Sequence, residues 1–293
     1  MRFPAFLAPA LVSLALVVPP SSAAELRLAG SDLLESALVK NLESFAAAND
    51  LKISFNLRGS RLGLEALENG EADIGLMVFG THDKKPGLGW NSATIGYLTS
   101  VIVVPADVSL TQINYAQLSG VFGASEQNNY RRWSEIGALG EWAPRAISGM
   151  ALRRTTGLSL DLFRYYVLQN PELKPTIAQL DSPEEAYQRL LGEEGGIAIL
   201  PSAPPANLKL KVLLLAKGAN EVAYPPTAEN LHTGDYPLRM PVQLVFRKGE
   251  AGRFSPLLRH LVSDEAAPAW KAAGVTPLPL QARNQLGFQL ETM

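Results

Sequence analysis

A chain of 293 residues, 47% of them hydrophobic, is long enough for one large domain or for two lobes with filled cores. Its formal net charge of −2 gives no general reason to expect nucleic acid or an anionic membrane surface as partner. Cysteine is absent, so the core must hold the fold without disulfides, and no thiol is present for lipid attachment.

The first residues read MRFPAFLAPALVSLALVVPPSSAAELRL. Arg2 supplies a positive start, residues 3–18 an apolar stretch, and Ser22-Ala23-Ala24 a small-residue cleavage site. The expectation is a Sec-type signal peptide over residues 1–24, cleavage before Glu25, and a soluble periplasmic protein. The apolar run is shorter than the ~20 residues a membrane-spanning helix needs.

Beyond it, LRLAG (26–30) predicts a buried strand and residues 33–50 a helix with apolar positions at helical spacing. KISFNL (52–57) alternates like a strand. A turn at Arg58-Gly59-Ser60 then leads into a helix over Leu62–Glu68, a stop at Gly70 and the strand ADIGLMV (72–78). Strands alternating with helices imply right-handed crossovers and parallel pairing. Residues 92–105 read as one long strand. TQINYAQLSGVFG reads as a helix and ASEQNNYRRWSEIG as a polar loop. Next come a strand at 145–150, helices in SLDLFRYYVLQN and SPEEAYQRLLGEE, and strands in GIAILP and LKVLLLA. Residues 236–249 read as a returning strand, with helices over about 252–273. The expected architecture is α/β and two-lobed with a ligand cleft between the lobes. Lobe 1 takes residues 25–105 and 235–293, lobe 2 residues 106–234, and hinges fall near 103–107 and 233–237.

Three strand-to-helix turns share a chemistry: AGSDLLE (29–35), RGSRLGLE (58–65) and RRTTGLSLDLF (153–163). Helix starts leave N–H donors unpaired at the positive end of the helix dipole, which suits an anion. Ser31, Asp32, Ser60 and Thr156 are equally the residue types that cap helices, and Asp32 with Glu35 has capping-box spacing.

The order of these pieces resembles the phosphate-binding substrate-binding proteins of ABC transporters, which have a type II periplasmic binding protein fold. AGSD is similar to the family's opening turn, and GSRLGLEALENGEADIG to its turn, helix and strand. LSGVFGASEQNNYRRWSEIG, RRTTGLS…F and YPLRMPVQLVF are similar to later segments of that family, in the same order. The resemblance implies that Ser31, Asp32 and Leu33 form a first phosphate-facing turn. Ser60 would donate its hydroxyl and backbone N–H, with Arg61 adjacent. Arg153 or Arg154 would fork onto two phosphate oxygens, and Thr155, Thr156 and Gly157 would close the third turn. Val78 stands where the family often has an Asp that accepts from protonated phosphate.

The resemblance therefore implies a monomeric periplasmic protein that captures phosphate or a related oxyanion and delivers it to an inner-membrane ABC permease. The second expectation is a divergent relative that has lost free-phosphate binding and serves sensing, adhesion or protein interaction. A hydrolytic enzyme on the same scaffold is the third and least supported, and no cofactor is implied. His82, His232 and His260 have no metal-ligand spacing. No G-x-x-x-x-G-K-[ST] phosphate loop and no G-x-S-x-G elbow occur in the sequence. Arg131-Arg132 beside Trp133 reads as surface charge rather than a nucleic-acid contact.

Overall fold

Short β-branched and leucine-rich runs alternate with amphipathic stretches along this chain, and the most apolar of them, at 74–78, 101–105, 149–152 and 197–200, become strands buried along their whole length. In the computed structural model, residues 25–80, 83–124, 126–153, 158–192 and 195–290 are described. The expected signal peptide, residues 1–24, lies outside them, as does His82.

The chain begins with strand β1 (Glu25–Gly30), helix α1 (Glu35–Ala48), β2 (Lys52–Asn56), α2 (Ser60–Glu68), β3 (Ile74–Val78) and β4 (Trp90–Thr99). Its middle holds β5 (Val101–Pro105), β6 (Gln112–Asn114), α3 (Tyr115–Phe122), β7 (Gly149–Leu152), α4 (Ser159–Val167) and β8 (Ala178–Leu180). These are followed by α5 (Pro183–Leu191), β9 (Ile197–Leu200), β10 (Leu210–Val212), β11 (Leu214–Ala216) and α6 (Ala228–Thr233). The last part is β12 (Arg239–Arg247), α7 (Ala251–Leu261), α8 (Ala267–Ala272), β13 (Val275–Pro277) and α9 (Leu280–Leu290).

Two main sheets result. A six-stranded sheet runs β13-β4-β12-β3-β1-β2, and a five-stranded sheet runs β10-β5-β9-β7-β8. In the first, β1 lies parallel to β2 and β3, while β12 is antiparallel to both β3 and β4. In the second, β7 is parallel to β8 and β9, and β5 is antiparallel to β9. The parallel pairs are the ones joined through helices, as crossover connections require.

The run expected as one long strand is divided between the two sheets. The change comes at Ser100, earlier than the break after Pro105 expected from sequence, because β5 pairs with β9 and not with the first sheet. Nothing in the apolar run marks the division except Ser100 itself, which is buried. Its N–H donates to the Leu238 carbonyl at 3.3 Å and its hydroxyl to the Ser159 carbonyl at 2.5 Å. The return crossing is adjacent: the Tyr236 hydroxyl donates to the Ser100 carbonyl at 2.8 Å, and the Thr99 hydroxyl to the Leu238 carbonyl at 2.7 Å.

Other departures have local causes. LKVLLLA splits into β10 and β11, which pair in different sheets. TQIN is a strand and not the start of a helix, since Asn114 caps α3 through a reciprocal box with Gln117 at 2.9 Å each way. The strand expected from residue 145 begins only at Gly149. Strands β8 and β13 and helices α6 and α9 carried no clear sequence signal. Helix α9 buries only Leu286 and Leu290, too few to draw an apolar stripe.

One charged pair is built into the back of the first sheet. Asp73 is 9% exposed and accepts from the Arg27 N–H at 2.9 Å and from Arg27 Nε and Nη2 at 3.0 Å each. Burial works to raise this carboxyl, but the side-chain and backbone hydrogen bonds from Arg27, with the charges of Arg27 and Arg253, hold it below its ordinary value. A depressed native value makes the pair's stabilisation complete above the unfolded carboxylate value of about 3.9. The stabilisation is then lost as pH falls through the native value. Thermal melts of the parent should therefore decline as pH drops below about 4. Asp73→Asn should melt lower at neutral pH, by about 1–3 kcal/mol, and show a shallower acid decline. Identical acid limbs in parent and variant would remove Asp73 as the cause.

Candidate ligand-binding cleft

The first and second turns are packed directly on one another. Gly30 ends β1 with φ +153°, and a Cβ there would sit 2.0 Å from the Leu76 carbonyl oxygen, so only glycine fits. From it the chain turns through Ser31, whose N–H donates to the Leu76 carbonyl at 2.8 Å, into a short 3-10 turn at Asp32–Leu34. The Gly59 N–H donates to the Gly30 carbonyl at 2.8 Å. Gly63, one turn into α2, lies so close that a Cβ would come within 2.7 Å of the Gly30 nitrogen. Two helix entrances are thereby held side by side on the ends of β1 and β2.

Ser60 is the first residue of α2, and Gly59, not Ser60, occupies the cap position without a side-chain cap bond. The Ser60 hydroxyl instead accepts from the Val78 N–H at 2.8 Å. That bond carries the ladder past the end of β1 and leaves the hydroxyl proton free to donate. The N–H groups of Ser60, Arg61 and Leu62 open the helix and have no carbonyl within it to bond; the first intrahelical bond runs from Gly63 N to the Gly59 carbonyl at 2.9 Å. Asp32 makes no capping box either, because α1 starts behind Leu34 without a side-chain cap. The capping reading is thus replaced for Ser60 by a sheet-end contact and for Asp32 by an exposed carboxylate, whereas the Ser31 hydroxyl accepts from the Leu33 N–H at 3.4 Å at the start of the 3-10 turn.

Ser31, Asp32, Leu33, Ser60 and Arg61 all line one cavity of about 550 Å³, together with Val78 and Phe79 from the end of β3. Met240 of β12 and Leu158, just before α4, border it as well. Arg61 is occupied by Glu65, one turn on, at 2.7 Å, and Lys84 by Glu68 at 2.7 Å. Asp83 accepts from the Gly80 N–H at 2.6 Å. Arg58, which sequence reasoning did not single out, enters the lining with its Nε bonded to Asn56 at 3.0 Å and no carboxylate partner among the described residues. Its only sequence signal was its place immediately before Gly59-Ser60. The acidic residues Asp32, Glu65, Glu68 and Asp83 at least match the cations of the lining. Attraction for an anion therefore rests on backbone N–H groups, the Ser60 hydroxyl and Arg58 rather than on a general positive field.

The third turn is placed less completely. Arg153 does not line this cavity; its Nε pairs with Asp181 at 2.8 Å. Arg154, Thr155, Thr156 and Gly157 lie outside the described residues. His260 is a core residue, stacked on Phe45 at 4.1 Å and bonded to Asn41 at 2.8 Å, and its burial lowers its pKa. No group of acidic and histidine side chains suited to a metal ion occurs among the described residues.

Two α/β halves, each built on its own sheet, with a cleft at the strand ends of the first, define a type II periplasmic binding protein fold. The chain belongs to the PBP superfamily, whose domain model matches residues 17–265. Among solved structures, it is similar to a possible phosphate-binding protein of Planctomyces limnophilus, with 16% identity, 92% of this chain and 98% of that one covered, and a TM-score of 0.70. PstS of Borrelia burgdorferi gives 14%, 87%, 99% and 0.69 for the same quantities. An ABC-type phosphate transport receptor of Vibrio cholerae gives 16%, 87%, 100% and 0.63. No curated protein matches the sequence significantly. Identities this low establish the shared fold alone. No helix among the described residues is long and apolar enough to cross a membrane.

Proposed function

We propose that the mature protein is a periplasmic receptor for phosphate or a closely related oxyanion, which it hands to an ABC-type permease in the inner membrane. The observation that supports this best is the seating of two helix entrances, at Ser31–Leu33 and Ser60–Leu62, against one another at a single cavity. Each entrance offers a modest attraction of about 0.3–1 kcal/mol, and each charge-assisted hydrogen bond adds roughly 1.5–3 kcal/mol. The N–H groups of Ser60, Arg61 and Leu62, which have no carbonyl within their helix, and the Ser60 hydroxyl belong to residues that line this cavity, and together they support the binding of an anion. The similar proteins of Planctomyces limnophilus, a possible phosphate-binding protein, and Vibrio cholerae, a phosphate transport receptor, agree with such a ligand.

In this reading Arg58 supplies the guanidinium at the second turn. The paired crossings at Ser100 and Leu238 act as the hinge, the usual way such a layout closes on its ligand. Calorimetric titration of the mature protein with phosphate, sulfate, molybdate and arsenate is the direct test. Saturable heat with phosphate or arsenate, and a smaller radius of gyration by small-angle scattering at saturation, is the expected result. The absence of binding to all of these anions would remove the proposal.

A further inference from the structure

The two halves contribute unequally to the cleft. Among the described residues that line it, Leu158 alone comes from the half built on the five-stranded sheet. Leu158 immediately precedes α4, which packs on β7 and β9 of that half. Phe163 of α4 also meets Phe122 of α3 edge-on, with ring centroids 5.2 Å apart. Helix α4 touches β4 of the first sheet as well, so its start lies where the halves meet.

Ser100 stands where the chain leaves β4 for β5. Its backbone serves the two crossings: the N–H donates to the Leu238 carbonyl at 3.3 Å, and the carbonyl accepts from the Tyr236 hydroxyl at 2.8 Å. Its side chain reaches a third segment. The hydroxyl donates to the Ser159 carbonyl at 2.5 Å, the short end of the range for such bonds. Ser100 is 0% and Ser159 4% exposed, so water does not compete for this bond. Ser159 is the first residue of α4, and its carbonyl is also an acceptor for the helix's own ladder. Alanine would carry the backbone bonds of the crossing equally well. What the hydroxyl adds is the link to α4.

We infer that Ser100 is a positioning residue for ligand capture. Its hydroxyl ties the start of α4 to the pivot between the halves and so holds Leu158 against the cavity. The bond lies one residue from the cavity wall and at the crossing itself, where rotation of one half against the other moves atoms least. Without it the crossing strands remain, but the start of α4 can withdraw. More open arrangements are then populated, and the fraction competent for capture falls. The role in capture rests on the oxyanion reading of the cleft; the tether between the halves does not.

The chain has no cysteine, so two introduced thiols can be spin-labelled without background. Glu43→Cys on α1 and Gln188→Cys on α5, both at exposed positions, report the separation of the halves by pulsed EPR. In the ligand-free mature protein Ser100→Ala should broaden the distance distribution toward longer values. Calorimetric titration should show phosphate binding weakened about 3–10-fold. Tyr236→Phe is the control, because it deletes a buried bond that joins the two crossings to one another and not to α4. It should lower the melting temperature as Ser100→Ala does, yet keep the parent's distance distribution and affinity. The inference is overturned if Ser100→Ala keeps the parent's distribution, if it binds phosphate as tightly as a binding parent, or if Tyr236→Phe broadens the distribution as much. Failure of the oxyanion reading looks different: the parent then binds no oxyanion, while broadening by Ser100→Ala alone still supports the tether.

Discussion

Replacing Ser60 with aspartate is expected to abolish oxyanion binding, with affinity reduced at least about 100-fold, because a fixed carboxylate then stands where the ligand's charge belongs. The fold should tolerate the change. The Ser60 hydroxyl accepts from the Val78 N–H, and a carboxylate oxygen at the same place accepts equally well. Ser60→Ala separates the two roles. It leaves the buried Val78 N–H without its partner and should cost about 1–3 kcal/mol of stability, yet it adds no repulsion. Calorimetric titration and thermal melts of both variants make the comparison. An aspartate variant that binds phosphate as tightly as the parent would show that this turn supports the sheet and does not hold an anion.

Gly30→Ala is expected to give the largest loss of stability. The new methyl would stand 2.0 Å from the Leu76 carbonyl oxygen, at a φ of +153° that residues with a side chain rarely adopt. Backbone strain and overpacking together amount to roughly 3–5 kcal/mol. Relief requires β1 to move off β3, which also carries the Ser31 turn away from Gly59. Chemical denaturation should therefore show a lower midpoint or no cooperative transition. Gly70→Ala is the comparison: its φ is +73°, but a Cβ there meets nothing within 4 Å, so only the conformational cost remains, about 1 kcal/mol. Equal losses at the two positions would mean that the contact with Leu76 relaxes freely.

The strands and helices of residues 25–78 are legible in the sequence because a glycine or a polar turn separates each from the next. The Ser31 and Ser60 turns could be seen as chemically alike, but their direct contact through Gly59 and Gly30 could not, since nothing local specifies which turns meet. The division at Ser100 was hidden for a related reason. A strand buried on both faces reads as a continuous apolar run, and Thr99-Ser100 interrupts that run without a proline or a glycine. The pairing of Arg61 with Glu65 was available as an i,i+4 spacing. The pairing of Arg153 with Asp181 was not, because it depends on β7 lying beside β8.

The position of β12 has a consequence for the order in which the chain can fold. Strand β12 sits between β3 and β4, so residues 239–247 join two strands that were both made before residue 100. All strands of the five-stranded sheet, by contrast, come from one uninterrupted stretch, residues 101–212. That sheet can close while the chain is still emerging. The first sheet meanwhile keeps β3 and β4 as bare apolar edges, the kind that pair with other chains. Long-range pairing of this sort is slow, so the interval before β12 arrives is when the chain most needs protection from its neighbours.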